Sequence, residues 1–196
     1  MRRPLALILM IALVALSGCA AHWSAYPKNV PSDRRCQSMK SFPQLVQIPG
    51  FSSAWQLIHE CTVPSEKTAI AMQLFLHEWE EEFGRSRTVR TNLNAIMIEW
   101  SRQNKGGGGY AVDGSYISSA TFSGLTISKG TIWVKIKDNT LVCESSLVHE
   151  LLHASIWALK KTDGDPDHLG DKYVGWTIRH QLVMQRTNEK LCRLGI

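Results

Sequence analysis

The run SSLVHELLHASIWAL, residues 145–159, carries three protonatable groups, His149, Glu150 and His153, within five positions of an otherwise apolar stretch. It predicts a helix with Ser145 or Ser146 as its cap, and Leu147, Val148, Leu151, Leu152 and Ile156 are apolar enough to draw that helix into a core. Imidazoles and a carboxylate buried there without partners would destabilise the fold. The fold therefore has to supply something for them to bind. On a helix, positions four apart stand one turn above each other, about 40° apart round the axis, so His149 and His153 aim their rings at a common point. Two neutral nitrogens converging there make half of a tetrahedral zinc site. Glu150 lies about 100° round from His149, away from the metal but within reach of a water bound to it. That is how H-E-x-x-H turns a carboxylate into a general base. The alternative is a chance coincidence of residues in the core or on the surface.

The first eighteen residues, MRRPLALILMIALVALSG, place Arg2 and Arg3 ahead of an apolar block from Leu5 to Leu16 and then small residues. This is the layout of a secretory signal, outside the fold proper. An uncleaved membrane anchor is the alternative, but the block is shorter than the roughly 20 residues a spanning helix needs. LSGC, ending at Cys19, resembles the lipobox of bacterial lipoproteins. The resemblance implies a diacylglyceryl group on Cys19, cleavage before it, and membrane attachment through the lipid. Ala20 in place of Asp implies the outer membrane of a bacterial cell envelope, facing the periplasm.

Four further cysteines, Cys36, Cys61, Cys143 and Cys192, form an even set in an oxidising compartment and are disulfide candidates. Proximity favours Cys36 with Cys61 and Cys143 with Cys192, and buried free thiols are the alternative. They offer no C-x-x-C spacing for zinc. Removing residues 1–18 lowers Lys plus Arg from 22 to 20 against 17 Asp plus Glu, a balance of +3. That is too mild to argue for nucleic acid as a partner. Residues 19–45, with their prolines and polar residues, read as a tether, and residues 46–196 as a single domain with six of the seven Trp to fill a core.

Within the domain, Met72, Phe75, Leu76, Trp79 and Phe83 keep helical spacing from Ser65, the expected N-cap, to Gly84, which stops the run. HEWEE in this helix imitates the zinc motif, but Glu81 stands where the second His belongs. The cluster His77, Glu78, Glu80, Glu81 and Glu82 is expected to be a solvated face. Residues 94–100, 115–128 and 131–137 read as strands. In the last, Ile132, Val134 and Ile136 alternate with Trp133, Lys135 and Lys137, as in a half-buried antiparallel strand. KGGGGY, 105–110, is expected to be a flexible loop at the rim of a cleft. A final helix at about 171–192 should bury Val174, Ile178, Leu182 and Val183. The order of elements is α+β.

With the motif on a helix preceded by strands, residues 65–192 resemble the zincin metallopeptidases. The resemblance implies a small mixed sheet, an active-site helix and a following C-terminal helix. It implies Zn2+ held by His149 and His153, Glu150 as general base, and a peptide or protein substrate lying extended along an antiparallel edge strand. That strand would be TIWVKIK or the one before it. The third ligand departs from the family patterns. Ile156 and Leu159 stand at the Gly and His of the metzincin form, and Glu189, the candidate for a thermolysin-like ligand, lies near the far end of the last helix. His168 is the better candidate. The helix carries the chain ~10 Å past His153, and about seven loop residues at up to ~3.3 Å each can return it. Asp165 and Asp167 are then partners of a ligand imidazole or turn carboxylates, and Asp171 and His180 are runner-up ligands. Tyr173 is best placed for the oxyanion-stabilising role that Tyr or His plays in related sites, ahead of Tyr110 and Tyr116. The expected protein is a lipid-anchored zinc peptidase. Its rivals are a non-enzymatic envelope lipoprotein with a structural metal site and a zinc amidase acting on cell-wall peptides. Oligomeric state is not legible.

Overall fold

A computed structural model describes residues 26–28, 43–59, 63–110, 116–137, 142–160 and 176–196. The signal segment, Cys19, Cys36 and Cys61 lie outside the described residues, as do Asp165, Asp167, His168, Asp171 and Tyr173. In chain order the elements are β1 (Tyr26–Lys28), β2 (Gln44–Gln47), β3 (Trp55–Ile58), α1 (Ser65–Phe83), α2 (Arg87–Leu93), β4 (Met97–Ser101), β5 (Asn104–Tyr110), β6 (Tyr116–Phe122), β7 (Gly124–Ser128), β8 (Thr131–Lys135), a 3-10 turn (Val142–Glu144), α3 (Leu147–Lys160) and α4 (Ile178–Arg193). Among the described residues this is an α+β architecture with one five-stranded mixed sheet, ordered β2-β3-β4-β8-β7, and one three-stranded sheet, ordered β1-β5-β6. None of the described helices is long and apolar enough to cross a membrane.

The spacing of Met72, Phe75 and Trp79 produces α1, and these residues are fully or almost fully buried along it. Gly84 ends the helix at φ 79°, a conformation a side chain resists, and its N–H closes on the Glu80 carbonyl at 2.9 Å. The cap is Pro64 and not Ser65, because the Pro64 carbonyl accepts the N–H groups of Lys67 and Thr68. The strand expected at 94–100 is β4, beginning at Met97, and ahead of it lies helix α2, an element that the sequence did not announce. Ser86 Oγ caps it by accepting the Val89 N–H, and Asn94 closes it. Only Val89 and Leu93 face inward, too few to give a periodic signal.

In the five-stranded sheet β3, β4 and β8 run parallel, while β2 and β7 are antiparallel edges. Strand β8 is therefore interior, antiparallel to β7 as expected but parallel to β4, and it is not half-buried, because Ile132, Trp133 and Val134 are all buried. Ile132 and Val134 belong to the main core with residues of α1 and α3. On the opposite face Trp133 is shielded by Phe122 and Leu125 and by the Lys105 ammonium, 5.1 Å from its ring centre. KGGGGY is likewise a strand: β5 is the centre of the three-stranded sheet, paired antiparallel on both sides. Glycine has little strand preference of its own, so two neighbouring strands supply what local sequence cannot.

The acidic cluster of α1 is not a solvated face. Glu78 is buried against Lys190, Glu80 pairs with Arg90, and Glu82 accepts from Arg179 at 2.7 Å and Arg186 at 3.0 Å. The hydrogen bond from Arg179 is the largest cause holding the Glu82 carboxyl below its usual range. Acidic residues on α1 thus meet basic residues of α4 and α2, while His77 and Glu81 remain exposed. Helix α4 buries Val183, Thr187 and Leu191 at four-residue spacing, and Ile178 is 69 % exposed instead of packed. Cys143 and Cys192 are not joined to each other. Cys192 is an exposed thiol on α4, and the Cys143 N–H instead donates to the Ile196 carbonyl at 2.8 Å.

Candidate functional site

Helix α3 is the most apolar of the helices by sequence and is sunk accordingly, with Leu147, Val148, Leu151, Leu152, Ala154 and Ile156 buried. Ser145 Oγ accepts the Leu147 N–H at 3.2 Å and so starts the helix where the sequence requires. With its apolar stripe fixed against the sheet, the i and i+4 histidines can only face one side. Their Nε2 atoms lie 3.2 Å apart and their ring centres 4.9 Å apart. His153 is buried and His149 half-buried, and burial pulls the His149 imidazole down to about 4, keeping it neutral at ordinary pH.

The separation tests whether the pair fits a metal. Two imidazole ligands at about 2.0–2.1 Å from a tetrahedral zinc subtend an edge of about 3.3 Å. The observed 3.2 Å fits, and a neutral imidazole is the form that ligates. The same distance accommodates an N–H···N hydrogen bond between the two rings, whose proton a metal would displace.

Glu150 points round the helix to β7. It is buried, and Thr126 Oγ1 donates to its Oε2 at 2.7 Å while also lying 3.2 Å from its carbonyl oxygen. A Cβ on Gly124 would come within 2.6 Å of Glu150 Oε1 and 2.7 Å of its Cγ, so the carboxyl occupies the space that the glycine leaves. Burial pushes the Glu150 carboxyl up to about 8, against the opposing effect of the Thr126 hydrogen bonds. The strand beside it is β7, one of the two antiparallel edges of the sheet and part of the second of the two segments that the resemblance allowed.

Neither Gly124, Thr126 nor Trp176 stands out in the sequence as a site residue. Trp176 is buried, and its ring centre lies 5.1 Å from that of His149 and 4.8 Å from that of His153, so three rings meet. The signal that could have found it is Thr177-x-x-His180, a capping box with His at its last position, which marks the start of α4 and puts Trp176 just before it.

Among the described residues no third His, Cys, Asp or Glu joins the pair in a group able to hold a metal. His180, a runner-up ligand, is committed elsewhere. Its Nδ1 accepts the Thr177 N–H at 3.1 Å, and its ring packs on Trp79 and Phe83. Glu189 is exposed and pairs with Arg193. His168 and Tyr173 lie outside the described residues, and the side chains of Tyr110 and Tyr116 are not described.

Comparison with models of protein families, with curated proteins and with solved structures finds no match to this chain.

Proposed function

We propose that this chain is a zinc-dependent peptide hydrolase of zincin-like architecture, carried on a lipid anchor in the bacterial cell envelope. The observation that carries the reading is the 3.2 Å convergence of His149 and His153 Nε2 on one side of a buried helix, with Glu150 one residue along on the same helix. The antiparallel edge strand at Glu150 agrees with the resemblance. The third ligand in this reading is His168. The chain that follows the loop comes back against the pair at Trp176, and His168 is eight residues earlier, a reach of up to ~26 Å at ~3.3 Å per residue.

Zinc held by these imidazoles would supply Lewis acidity, lowering the pKa of a water to near 7 and polarising a peptide carbonyl. His149 and His153 would hold the metal through their Nε2 atoms once the proton between them has left. Thr126 fixes Oε2 of Glu150, leaving Oε1 to accept the proton of the attacking water and return it to the departing amine. Burial raises the proton affinity of the Glu150 carboxylate, which favours its taking the proton of the water. Strand β7, an edge of the sheet among the described residues, is where an extended peptide would add beside the same carboxyl.

Glu150→Gln tests the assignment, because it keeps shape and removes the proton acceptor. Zinc content and thermal stability should stay near wild type while hydrolysis of a peptide library falls by ~10² or more. Loss of zinc in this variant would make Glu150 a ligand and refute the mechanism. Zinc binding by the wild type with no hydrolysis of either a peptide library or cell-wall peptides would favour a structural metal site. Cleavage confined to cell-wall peptides would favour the amidase.

A further inference from the structure

We infer that Trp176 is a positioning residue for the histidine pair, and that the start of α4 is built to seat it. The inference rests on the metal-site reading above and adds the element that holds the two imidazoles in register. A histidine has two side-chain torsions, and a helix backbone alone fixes neither tightly enough to keep two Nε2 atoms at ligating separation. Packing must do so. The centres of the His149, His153 and Trp176 rings form a triangle with sides of 4.9, 4.8 and 5.1 Å, so the indole closes one side of both imidazoles at once.

The indole is itself held. Trp79, Trp100 and Trp133 bury their ring nitrogens with no acceptor, whereas Trp176 Nε1 donates to Gln181 Oε1 at 3.3 Å. Trp176 occupies the position just before the Thr177 cap, and Gln181 is the fourth residue of the helix. This is the pair of positions through which a hydrophobic staple sets the approach of the chain, here made by a hydrogen bond. Between them Thr177 N–H donates to His180 Nδ1 at 3.1 Å, and the His180 ring rests 4.5 Å from that of Phe83 and 5.5 Å from that of Trp79. A continuous line of contacts thus runs from the core face of α1 through His180 and Thr177 to Trp176 and the two imidazoles. The residue types suit this role: the seat is polar and satisfied, and the surface turned to the histidines is a rigid aromatic plane.

The test uses the full chain in detergent micelles, zinc affinity by competition with a chromophoric chelator, and the absorption spectrum of the cobalt-loaded protein. Trp176→Ala should weaken zinc binding ~10- to 100-fold, the scale for losing a group that orients ligands, and should shift the cobalt spectrum. Trp176→Phe should restore most of the affinity, because it returns the aromatic wall. Gln181→Leu keeps the tryptophan and the helix but frees the indole N–H, so it should weaken zinc binding in the same direction even if Trp176→Ala fails to fold. Wild-type zinc affinity and cobalt spectrum in folded Trp176→Ala, or in Gln181→Leu, would overturn the positioning role while leaving the metal site standing. Absence of zinc and cobalt binding by the wild type would instead remove the site on which the inference rests.

Discussion

Gly124→Ala is the sharpest perturbation available, because it adds one methyl group between the edge strand and the carboxyl that the mechanism needs. Gly124 lies in β7 without a positive φ, so alanine strains no backbone torsion there. The strain is all in the contact. The new Cβ would stand 2.6 Å from Glu150 Oε1, 2.7 Å from Cγ and 2.9 Å from Cδ, whereas carbon atoms rest at about 3.5–4.0 Å. Something must move by about 0.8 Å or more. Glu150 is buried and bonded to Thr126 at 2.7 Å, so either the carboxyl gives up that bond or β7 lifts from α3. Overpacking of this kind costs about 1–3 kcal/mol. Urea unfolding of the full chain should therefore show Gly124→Ala destabilised by that amount, and the penalty should largely vanish in a Glu150→Ala background, a coupling of about 1–2 kcal/mol. Zinc content should be unchanged. Peptide hydrolysis should fall by ~10²-fold, the scale for a base displaced by about 1 Å. An equal penalty with and without the Glu150 side chain would refute the packing argument.

His168→Ala should weaken zinc binding strongly without unfolding the domain, because two imidazoles make a poor site; full zinc occupancy in that variant would place the third ligand elsewhere. Cys19→Ser should abolish fatty-acid labelling of the protein in cells and leave its signal poorly processed, and an unlabelled wild type would sink the anchor. Stability should fall with acidification below about pH 6.5, because the folded state keeps His180 neutral down to about 4, chiefly through burial, while the unfolded chain takes up the proton. His180→Gln can accept the same cap bond without titrating. It should therefore lose less stability between pH 7 and 4.5 by urea unfolding, on the order of 1 kcal/mol for a partly screened ring, and an unchanged pH slope would refute the assignment.

Helices α1 and α3 were legible to within two residues because each carries a long apolar stripe whose period is set by the helix itself. The same regularity made His149, Glu150 and His153 a unit before any fold was known, since residues four apart on a helix meet whatever surrounds them. Other features were decided only by tertiary contact. The glycine run of β5 became a strand because β1 and β6 flank it, and the alternation in TIWVKIK lost its meaning once Phe122, Leu125 and Lys105 covered Trp133. The acids of α1 looked solvated until α4 laid Arg179, Arg186 and Lys190 against them. At the site the division is the same. Local geometry brings two imidazoles together, but the Gly124 gap, the Thr126 hydrogen bond and the Trp176 wall come from elements 23 or more residues from their partners on α3. Such contacts leave no periodic trace in a sequence, because the chain distance between the partners is set by loops and not by the helix or strand repeat.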